Sequence, residues 1–444
     1  MKSTSIESSN SRILEFSAAI RLKKGREEDV RTGIPWIYSS DIVESSELLH
    51  VLPGSLVAIE NHKGQPVGTG YYNAKSQIAC RVLSLKREPI DVTFFKTRFA
   101  KALTLRDELI GAPYYRLAHS EADGLPGLLV DRFGDILVAQ AGTAGIENLQ
   151  PLWMQALEEL LHPKAIILRN DIPARALEGL KQEVTIFPSP LEGESGDPTR
   201  VAGAPGEGVF KDCLLRDSLS LTLSHQGRGD YLVEVMENNC IYYADLIKGQ
   251  KTGWFYDQRD NRKMVAELAK GKTLLDVYAH SGGFGILAAK YGAAYVTLVD
   301  SSKLALQLAQ QAARRNDVAC DTIQGDAFET MERLHEEGKR FDIVLADPPA
   351  FVKSRKDIAA GLKGYEKVAR MATRLVNPDG LLFIASCSHH AGRAAFNKAV
   401  QDGIAKAGRD AILFRQTGAA PDHPRHKYLQ QNDYLKGILL EIVN

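Results

Sequence analysis

Two short apolar runs decide the fold of this chain, FDIVLADPPAF at residues 341–351 and GLLFIASCSHH at residues 380–390. Each run is continuous and is bounded by proline, glycine or polar residues, which is the pattern of a strand buried on both faces. Residues 357–375 between the runs are long enough for a crossover helix, and a Pro-Asp-Gly turn at 378–380 precedes the second strand. The stretch therefore predicts a βαβ unit whose two strands are parallel.

A carboxylate and a thiol stand at the ends of these two strands. Asp347 comes directly after the first apolar run, and Cys387 ends the second. Neighbouring strands lie roughly 5 Å apart, and open α/β sheets carry their chemistry at the edge where parallel strands end. We therefore expect Asp347 and Cys387 to share the floor of one cleft.

Residues 231–444 as a whole are typical of a single α/β domain. Apolar, strand-like runs alternate with helical segments around 273–278, 295–300 and 321–326, and further runs follow the decisive stretch towards the C-terminus. Such alternation predicts a Rossmann-like, doubly wound sheet.

The loop after the first strand of this sheet, LLDVYAHSGGFG at residues 274–285, predicts a nucleotide site. Its glycines permit a tight turn and a close approach of a ligand to the backbone. The loop lacks the G-x-G-x-x-G spacing of dinucleotide sites, and no P-loop lysine follows it, so phosphate binding is not supported. The candidate cofactor-binding residues of this loop are Asp276, Ser281, Gly282 and Gly283.

Two further acids mark the ends of the next two strands. Asp300 occupies the position whose carboxylate binds ribose hydroxyl groups in such folds, and Asp326 could accept a hydrogen bond from an adenine amino group. A glycine turn with these two acids, and without a pyrophosphate site, favours S-adenosylmethionine over NAD as the cofactor. Taken singly, each acid would also suit the N-cap of the helix that follows it.

The first 230 residues divide into segments of different character. Residues 18–90 contain short alternating runs punctuated by glycine and proline, which predict a small, PUA-like β-barrel. Residues 91–187 predict a compact α+β domain with one helix at 92–109 and a second amphipathic helix at 146–161. Residues 188–230 are rich in Pro, Gly, Ser and acidic residues, so we predict a poorly ordered insertion without a catalytic part. Its SLSLTLS run would also suit a strand.

A basic cluster near the start of the predicted barrel consists of Lys23, Lys24, Arg26 and Arg31. With Trp36 and Tyr38 close by, it has the mixture of positive charge and aromatic surface that binds an RNA backbone. The alternative is a solvated, charged turn beside a core tryptophan.

The composition excludes several classes of protein. The 444 residues contain 55 Lys and Arg against 55 Asp and Glu, so local patches rather than a bulk field would hold a nucleic acid. No apolar run approaches the roughly 18 residues that a membrane span needs, and the polar N-terminus has no hydrophobic signal core. The five cysteines form no CxxC pair. We therefore expect a cytoplasmic, reduced protein without a metal site.

Cys387 has two interpretations. A thiol after an apolar strand is commonly a small core residue, and its ordinary pKa of about 8.5 leaves little thiolate at pH 7. The polar turn around it could instead activate it as a nucleophile. A thiol that faces an amine-binding carboxylate suits a pyrimidine: the thiolate would attack C6, C5 would take a methyl group, and a base would remove the C5 proton.

The segments DPPAFVKSR (347–355) and GYEKVARMATRLVNPDGLLFIASCS (364–388) resemble the bacterial 23S rRNA cytosine-C5 methyltransferases that carry an N-terminal PUA domain. The likeness extends to RLKKGREEDVRTGIPWIYSSDI (21–42), KTGWFYDQR (251–259) and YLKG (434–437). It implies a PUA barrel, a central α+β domain and a C-terminal, Rossmann-like methyltransferase.

The same resemblance implies roles for individual residues. Cys387 would be the nucleophile and Asp347 would hold the target base, while Asp257 and Gln258 would lie at the edge of the cofactor.

We therefore expect an S-adenosylmethionine-dependent enzyme that forms 5-methylcytosine in large-subunit ribosomal RNA through a Cys387–C6 adduct. Two alternatives stay open. One is methylation of another base, such as guanine at N7, without an adduct. The other is a non-catalytic, rRNA-binding factor of ribosome assembly. No membrane or metal partner is expected, and a homodimer is compatible with the sequence.

Overall fold

The computed structural model describes residues 16–188, 231–429 and 433–443. The chain forms two compact units, Met1–Ser220 and Leu221–Asn444. The insertion predicted at residues 188–230 lies outside the described residues, except for Pro188, which ends a strand.

The N-terminal part of the first unit is a five-stranded sheet. Its strands are β1 (Ala18–Arg21), β2 (Trp36–Ile37), β3 (Ser55–Glu60), β4 (Pro66–Tyr72) and β5 (Cys80–Ser84), and the helix α1 (Glu27–Thr32) follows β1. The strand order is β1-β3-β4-β5-β2. Ile20, Val57 and Ile59 are among the buried residues of its core. The glycine-punctuated runs thus form the β-rich domain that their pattern predicts.

The rest of the first unit is an α+β domain. Its sheet has the order β10-β9-β8-β7-β6 and contains β6 (Tyr114–His119), β7 (Leu128–Phe133), β8 (Ile136–Ala141), β9 (Ala165–Arg169) and β10 (Val184–Pro188). Its helices are α2 (Val92–Ile110), α3 (Ala144–Asn148), α4 (Gln150–Leu161) and α5 (Ala174–Leu177). The prediction of a single helix at 146–161 is wrong, because the structure has two helices there, α3 and α4. Pro151 has no N–H to donate to a preceding turn, so it lies in the first turn of a new helix, α4.

Two acids in the glycine-rich turn after β6 have structural partners. Arg106 on α2 is fully buried and donates to both carboxylate oxygens of Asp123, at 2.8 and 2.6 Å. Glu121 accepts from the Trp36 indole N–H at 2.8 Å and from Arg81 at 3.3 Å. Loss of either acid would leave a buried donor uncompensated, so both acids stabilise the unit.

The second unit is an α/β domain that begins with a hairpin of β11 (Leu232–Glu237) and β12 (Cys240–Asp245). The strands of its main sheet are β13 (Thr273–Val277), β14 (Tyr295–Asp300), β15 (Asp321–Gln324), β16 (Phe341–Ala346), β17 (Val376–Ser386), β18 (Asp410–Thr417) and β19 (Lys436–Val443). Its helices are α6 (Arg259–Glu267), α7 (Gly283–Lys290), α8 (Lys303–Arg315), α9 (Ala327–Glu336), α10 (Ile358–Arg374) and α11 (Arg393–Lys406).

The main sheet is doubly wound, in the order β15-β14-β13-β16-β17-β19-β18. Strands β13 to β17 pair in parallel, whereas β19 runs antiparallel to both β17 and β18. The decisive stretch forms the predicted unit: β16 and β17 are parallel neighbours joined through α10, with Leu345 opposite Phe383 and Ala346 opposite Ile384. Val344 and Leu382 of these strands are fully buried, which explains the continuous apolar runs.

Strand β17 begins earlier than the sequence indicates. It starts at Val376, opposite Phe341, and the pairing register shifts before Leu381 meets Ile343. Asp379 has a φ of +59°, a left-handed conformation that aspartate adopts more readily than most residues. The Pro-Asp-Gly turn is therefore an irregularity within the strand and not its boundary.

A buried ion pair fixes the hairpin to α6. Arg262 donates to Glu237 Oε1 at 2.6 Å, and the Trp254 indole N–H donates to Glu237 Oε2 at 3.1 Å. The Arg262 guanidinium also lies over the Trp254 ring, 4.4 Å from its centroid. A Cβ on Gly283 would lie only 2.6 Å from Arg262 Nε. The ion pair therefore also explains why glycine starts α7.

We expect Glu237→Gln to lower the free energy of unfolding by about 3 kcal/mol, because the amide leaves the buried Arg262 charge uncompensated. Glu234→Gln is the matched control on the same strand. Glu234 accepts from Arg315 at 3.1 Å, but both side chains are partly exposed, so its cost should stay below about 1 kcal/mol. Chemical denaturation measures the free energy of unfolding of each variant. Equal losses in the two variants would contradict the view that burial makes the Glu237–Arg262 pair the more costly one to break.

Candidate active site

Cys387 follows β17 in a turn that buried hydroxyl groups hold in place. The Ser386 hydroxyl donates to the Tyr365 oxygen at 2.8 Å, and Ser388 Oγ lies 2.8 Å from the same oxygen. The Val352 N–H donates to Ser388 Oγ at 3.1 Å. Because Val352 belongs to the loop after β16, these bonds tie the turn around the half-buried Cys387 to the neighbouring strand end.

A buried lysine completes this turn. Lys436, at the start of β19, lies opposite Ser386 and donates from Nζ to the Ser388 carbonyl oxygen at 2.7 Å. Burial lowers the pKa of its ammonium group to about 8, and the charge of Asp433 opposes that change. Lys436 was not singled out from the sequence. The only available signal was its place in the YLKG segment.

Asp347 follows β16 and is held from the start of α6. Gln258 donates from Nε2 to Asp347 Oδ2 at 2.7 Å, and Asn261 donates to Gln258 Oε1 at 2.6 Å. Burial raises the pKa of the Asp347 carboxyl to about 6, and the negative charge of Asp257 adds to the rise. At neutral pH the carboxyl is therefore mainly an anion, and a ligand that donates a hydrogen bond would stabilise it.

The structure brings Asp347 and Cys387 to one edge of the sheet, since they follow parallel neighbouring strands. Burial raises the pKa of the Cys387 thiol. The ammonium of Lys251 lowers that pKa, whereas the carboxylates of Asp347 and Asp257 raise it further. The thiol and the two carboxylates thus lie within electrostatic reach of one another.

Asp257 and Gln258, which the resemblance assigns to the edge of the cofactor, are both buried. Asp257 Oδ2 accepts from the Tyr434 hydroxyl at 2.6 Å and lies 3.6 Å from Lys251 Nζ. The Gln258 amide bonds to Asp347. Asp257 thus contacts Tyr434 and Lys251, and Gln258 contacts Asp347. Contact of either residue with the cofactor stays a prediction. Lys251 and Tyr434 were missed, although both lie in segments that carry the resemblance.

The glycine loop after β13 forms a tight turn into α7. Gly282 has a φ of +81°, and a Cβ there would lie 2.6 Å from Ile286 Cδ1, so the position requires glycine. Asp276 is buried and accepts from the Gly285 N–H at 3.0 Å through Oδ2, while Asp276 Oδ1 has no hydrogen-bond partner among the described residues. Ser281 is buried, and its hydroxyl lies 3.1 Å from His280 Nδ1. An unsatisfied carboxylate oxygen next to such a turn fits a ligand that carries donors or positive charge.

Asp300 and Asp326 lie at the ends of the next two strands. Asp300 accepts from the backbone N–H groups of His280 and Ser302, each at 2.8 Å. Asp326 Oδ1 accepts from the backbone N–H groups of residues 328–329, so Asp326 is the N-cap of α9. The alternative role as a helix N-cap is thus confirmed for Asp326. The contacts of Asp300 with ribose and of Asp326 with adenine stay predictions.

Carboxylates neutralise part of the basic cluster in the first unit. Arg26 forms ion pairs at 3.2 and 3.4 Å, and Arg31 forms one at 2.9 Å. Lys23 donates to a backbone carbonyl at 2.8 Å, and Lys24 is exposed. The indole N–H of Trp36 is bonded within the unit. The two lysines are therefore the better candidates for contact with RNA.

Within residues 16–188, 231–429 and 433–443, no group of three or more His, Cys, Asp or Glu could hold a metal ion. His389, close to the thiol, stacks on the Tyr434 ring with centroids 5.1 Å apart. No helix in the described part of the chain is long and apolar enough to cross a membrane.

Known proteins share this architecture. Residues 20–85 match the PUA-like domain family, and residues 190–398 match the S-adenosylmethionine-dependent methyltransferase family. A methyltransferase crystallised in complex with SAH has the same fold, with a TM-score of 0.72 and 18% identity, over 96% of this chain and 99% of that chain. The protein is therefore a methyltransferase of the S-adenosylmethionine-dependent class with an N-terminal PUA-like domain, and S-adenosylmethionine is its cofactor.

Two relatives define the family more narrowly. The ribosomal RNA large subunit methyltransferase I of Aeromonas hydrophila subsp. hydrophila is 34% identical, over 96% of this chain and 99% of its own. The protein of the same name from Shewanella frigidimarina is 32% identical, over 95% of this chain and 99% of its own. The chain belongs to the family of the ribosomal RNA large subunit methyltransferases I.

We expect Asp276→Asn to make stability less dependent on pH. Burial raises the pKa of the Asp276 carboxyl to about 7, and the Gly285 N–H opposes the rise. An acid whose pKa in the folded state exceeds its unfolded value of about 3.9 stabilises the fold below about pH 4, and this stability is lost as the pH rises through about 7. Asparagine keeps the acceptor without the charge. The variant should therefore be about 2–4 kcal/mol more stable than the wild type at pH 8, and less than half of that at pH 5.

Asp379→Asn is the matched control, because Asp379 is exposed and its left-handed backbone suits asparagine equally well. Thermal unfolding of the wild type and both variants, without added cofactor, gives the comparison at pH 5 and pH 8. A difference between Asp276→Asn and the wild type that does not change with pH would show that the buried carboxyl does not titrate in this range.

Proposed function

We propose that this protein methylates C5 of a cytosine in large-subunit ribosomal RNA, with Cys387 as a covalent nucleophile. The names of its relatives support the RNA substrate. The observation that carries the chemistry is the placement of a thiol and a carboxylate at the ends of neighbouring parallel strands. A cytosine needs both groups, because its C6 accepts a nucleophile and its exocyclic amine needs a hydrogen-bond acceptor.

In the proposed reaction the sulfur of Cys387 is first the nucleophile and later the leaving group. The thiolate attacks C6, which forms an S–C6 bond and moves the electron pair of the C5=C6 double bond to C5. S-adenosylmethionine supplies the methyl group that C5 takes up. A base then removes the C5 proton, the electron pair of that C–H bond restores the double bond, and the S–C6 bond breaks to release the thiolate.

Asp347 is proposed to hold the target base. With a pKa of about 6 its carboxyl is mainly an anion at neutral pH, so it can accept from the exocyclic amine. Gln258 and Asn261 fix the orientation of the carboxyl. Pro348 and Pro349 have no N–H, which leaves acceptors beside the base and no competing donors. The cytosine has to leave its stack to reach this position, as in other base-modifying enzymes.

The cofactor is proposed to lie between the glycine loop and the next two strand ends. The backbone at Gly282 and Gly283 allows a close approach, and the unsatisfied oxygen of Asp276 lies next to this turn. Asp300 and Asp326 at the adjacent strand ends would bind the ribose and the adenine amino group. Their bonds to backbone N–H groups keep both carboxylates in place before the cofactor binds.

We expect Cys387→Ala to lose methylation on the order of a thousandfold or more while it keeps its affinity for RNA. Cys320→Ala is the matched control, since Cys320 is another free cysteine of the same unit. Transfer of labelled methyl groups to rRNA and filter binding measure the two properties. RNA that carries 5-fluorocytosine should trap the wild type as a covalent complex, because fluorine cannot leave C5 as a proton, and Cys387→Ala should form none.

Other outcomes would favour other functions. Full activity of Cys387→Ala, with the methyl group mapped to another base such as guanine N7, would favour methylation without an adduct. Binding of rRNA without any methylation by the wild type would favour a non-catalytic assembly factor.

Lys23 and Lys24 are proposed to contact RNA phosphates. Replacing both with alanine should weaken RNA binding and reduce the slope of log affinity against log salt concentration by about 1 to 2, because each lost phosphate contact releases about one counterion fewer. Lys63→Ala with Lys86→Ala is the control, as both of these lysines are exposed on the same domain. Equal slopes for the two double variants would argue against the cluster at residues 23–31.

A further inference from the structure

Lys251 has no part in the proposed reaction, and its backbone has an uncommon conformation. Its φ is +52°, in the left-handed region that non-glycine residues seldom adopt. It lies in the turn that leads from β12 towards α6, where Gly253 donates its N–H to the Gln250 carbonyl. A residue held in such a conformation is often constrained by function.

The Lys251 ammonium is directed to the groups around the thiol. Its Nζ lies 3.6 Å from Asp257 Oδ2 and 4.6 Å from the centroid of the Phe255 ring. It also lies 5.9 Å from the centroid of the Tyr434 ring, whose hydroxyl bonds to the same Asp257 oxygen. The Tyr434 ring also stacks on His389, two residues after Cys387. One carboxylate and two aromatic faces therefore hold the cation beside Asp257, whose charge acts on the thiol.

The Lys251 cation affects how readily the Cys387 thiol ionises. The groups that act on the thiol are the ammonium groups of Lys251 and Lys436, the carboxylates of Asp347 and Asp257, and the Tyr365 hydroxyl. Burial raises the pKa of the thiol and both carboxylates raise it further, while Lys251 is the largest influence that lowers it. Without Lys251, burial and the two carboxylates would disfavour the thiolate, and Lys436, whose ammonium is bonded to the Ser388 carbonyl oxygen, would be the cation left to oppose them.

We propose that Lys251 supplies the positive charge that stabilises the Cys387 thiolate before it attacks the base, a role that rests on the proposed function of Cys387 as the nucleophile. Lys251 acts through the sulfur and is a positioning residue, not a catalytic one. Its side chain is 45% exposed in the free protein, so water screens its charge. A bound base that displaces water would strengthen its attraction for the thiolate.

Alkylation of Cys387 in the full-length protein tests this inference without the methylation reaction. The rate of carbamidomethylation by iodoacetamide is measured against pH, and the peptide that contains Cys387 is quantified by mass spectrometry. For Lys251→Met we expect the midpoint to rise by about 0.5 to 1 pH unit and the rate at pH 7 to fall about three- to tenfold. Lys251→Arg should retain the wild-type profile, because it keeps the charge.

Two further variants distinguish the loss of the Lys251 charge from changes in the backbone or in the charge of the turn as a whole. Lys251→Gly removes the cation while it suits the left-handed backbone, so the relief of backbone strain offsets the lost ion pair with Asp257. It should show the same shift as Lys251→Met. Lys248→Met removes an exposed lysine of the same turn and should leave the profile unchanged. Methylation by Lys251→Met should fall about tenfold at pH 7 and recover at higher pH, which a loss of structure would not produce.

The outcomes separate this inference from the proposed function. Wild-type alkylation profiles in both Lys251→Met and Lys251→Gly would overturn the inference, even if inactivity of Cys387→Ala upholds the nucleophile. A fully active Cys387→Ala would overturn the proposed function and the purpose assigned to Lys251, even if the alkylation profile shifts. A shifted profile together with an inactive Cys387→Ala supports both.

Discussion

The register between β16 and β17 is the constraint on which the rest of the site depends. Ala346 lies opposite Ile384 in a parallel pair, so the chain leaves both strands at one edge and Asp347 and Cys387 follow there. A slip of one residue would turn every side chain of β17 to the other face of the sheet. Tyr365 on α10 secures the arrangement, because its hydroxyl bonds to the serines on either side of the thiol. Core packing and site geometry are thus properties of the same unit.

Burial sets the electrostatics of this edge. It raises the pKa of the Asp276 and Asp347 carboxyl groups and of the Cys387 thiol, and nearby carboxylates raise each of them further. Each anionic form is therefore less favourable in the free protein than it would be in water. A positively charged sulfonium cofactor and the donor amine of a cytosine would supply what these groups lack. Binding of the proposed ligands would relieve this unfavourable balance of charge.

Three cations around this edge differ in how they are compensated. Arg262 is buried against Glu237 and supports the glycine loop, where only a glycine fits beside it. Lys436 is buried and holds the turn of Cys387 through the Ser388 carbonyl oxygen. Lys251 is partly exposed and shares its charge with Asp257. The first two cations are structural by their geometry, because one pairs with a buried carboxylate at 2.6 Å and the other donates to a backbone carbonyl at 2.7 Å. Lys251 lies 3.6 Å from its carboxylate, a looser contact that suits a charge that responds to the thiol.

Local patterns in the sequence determined much of this protein: the doubly wound sheet, the parallel pair of β16 and β17, and the positions of Asp347 and Cys387 at strand ends. These follow from apolar runs and their breakers, which are properties of neighbouring residues. Finer boundaries were missed, because Pro151 divides one expected helix and β17 continues through its Pro-Asp-Gly turn. The tertiary structure alone decided which distant groups meet, since the Tyr434 hydroxyl reaches Asp257 across 177 residues of chain. It also decided the direction of each pKa change, because the burial of a polar group at a strand end and the charges around it depend on how distant segments pack, which local sequence patterns do not show.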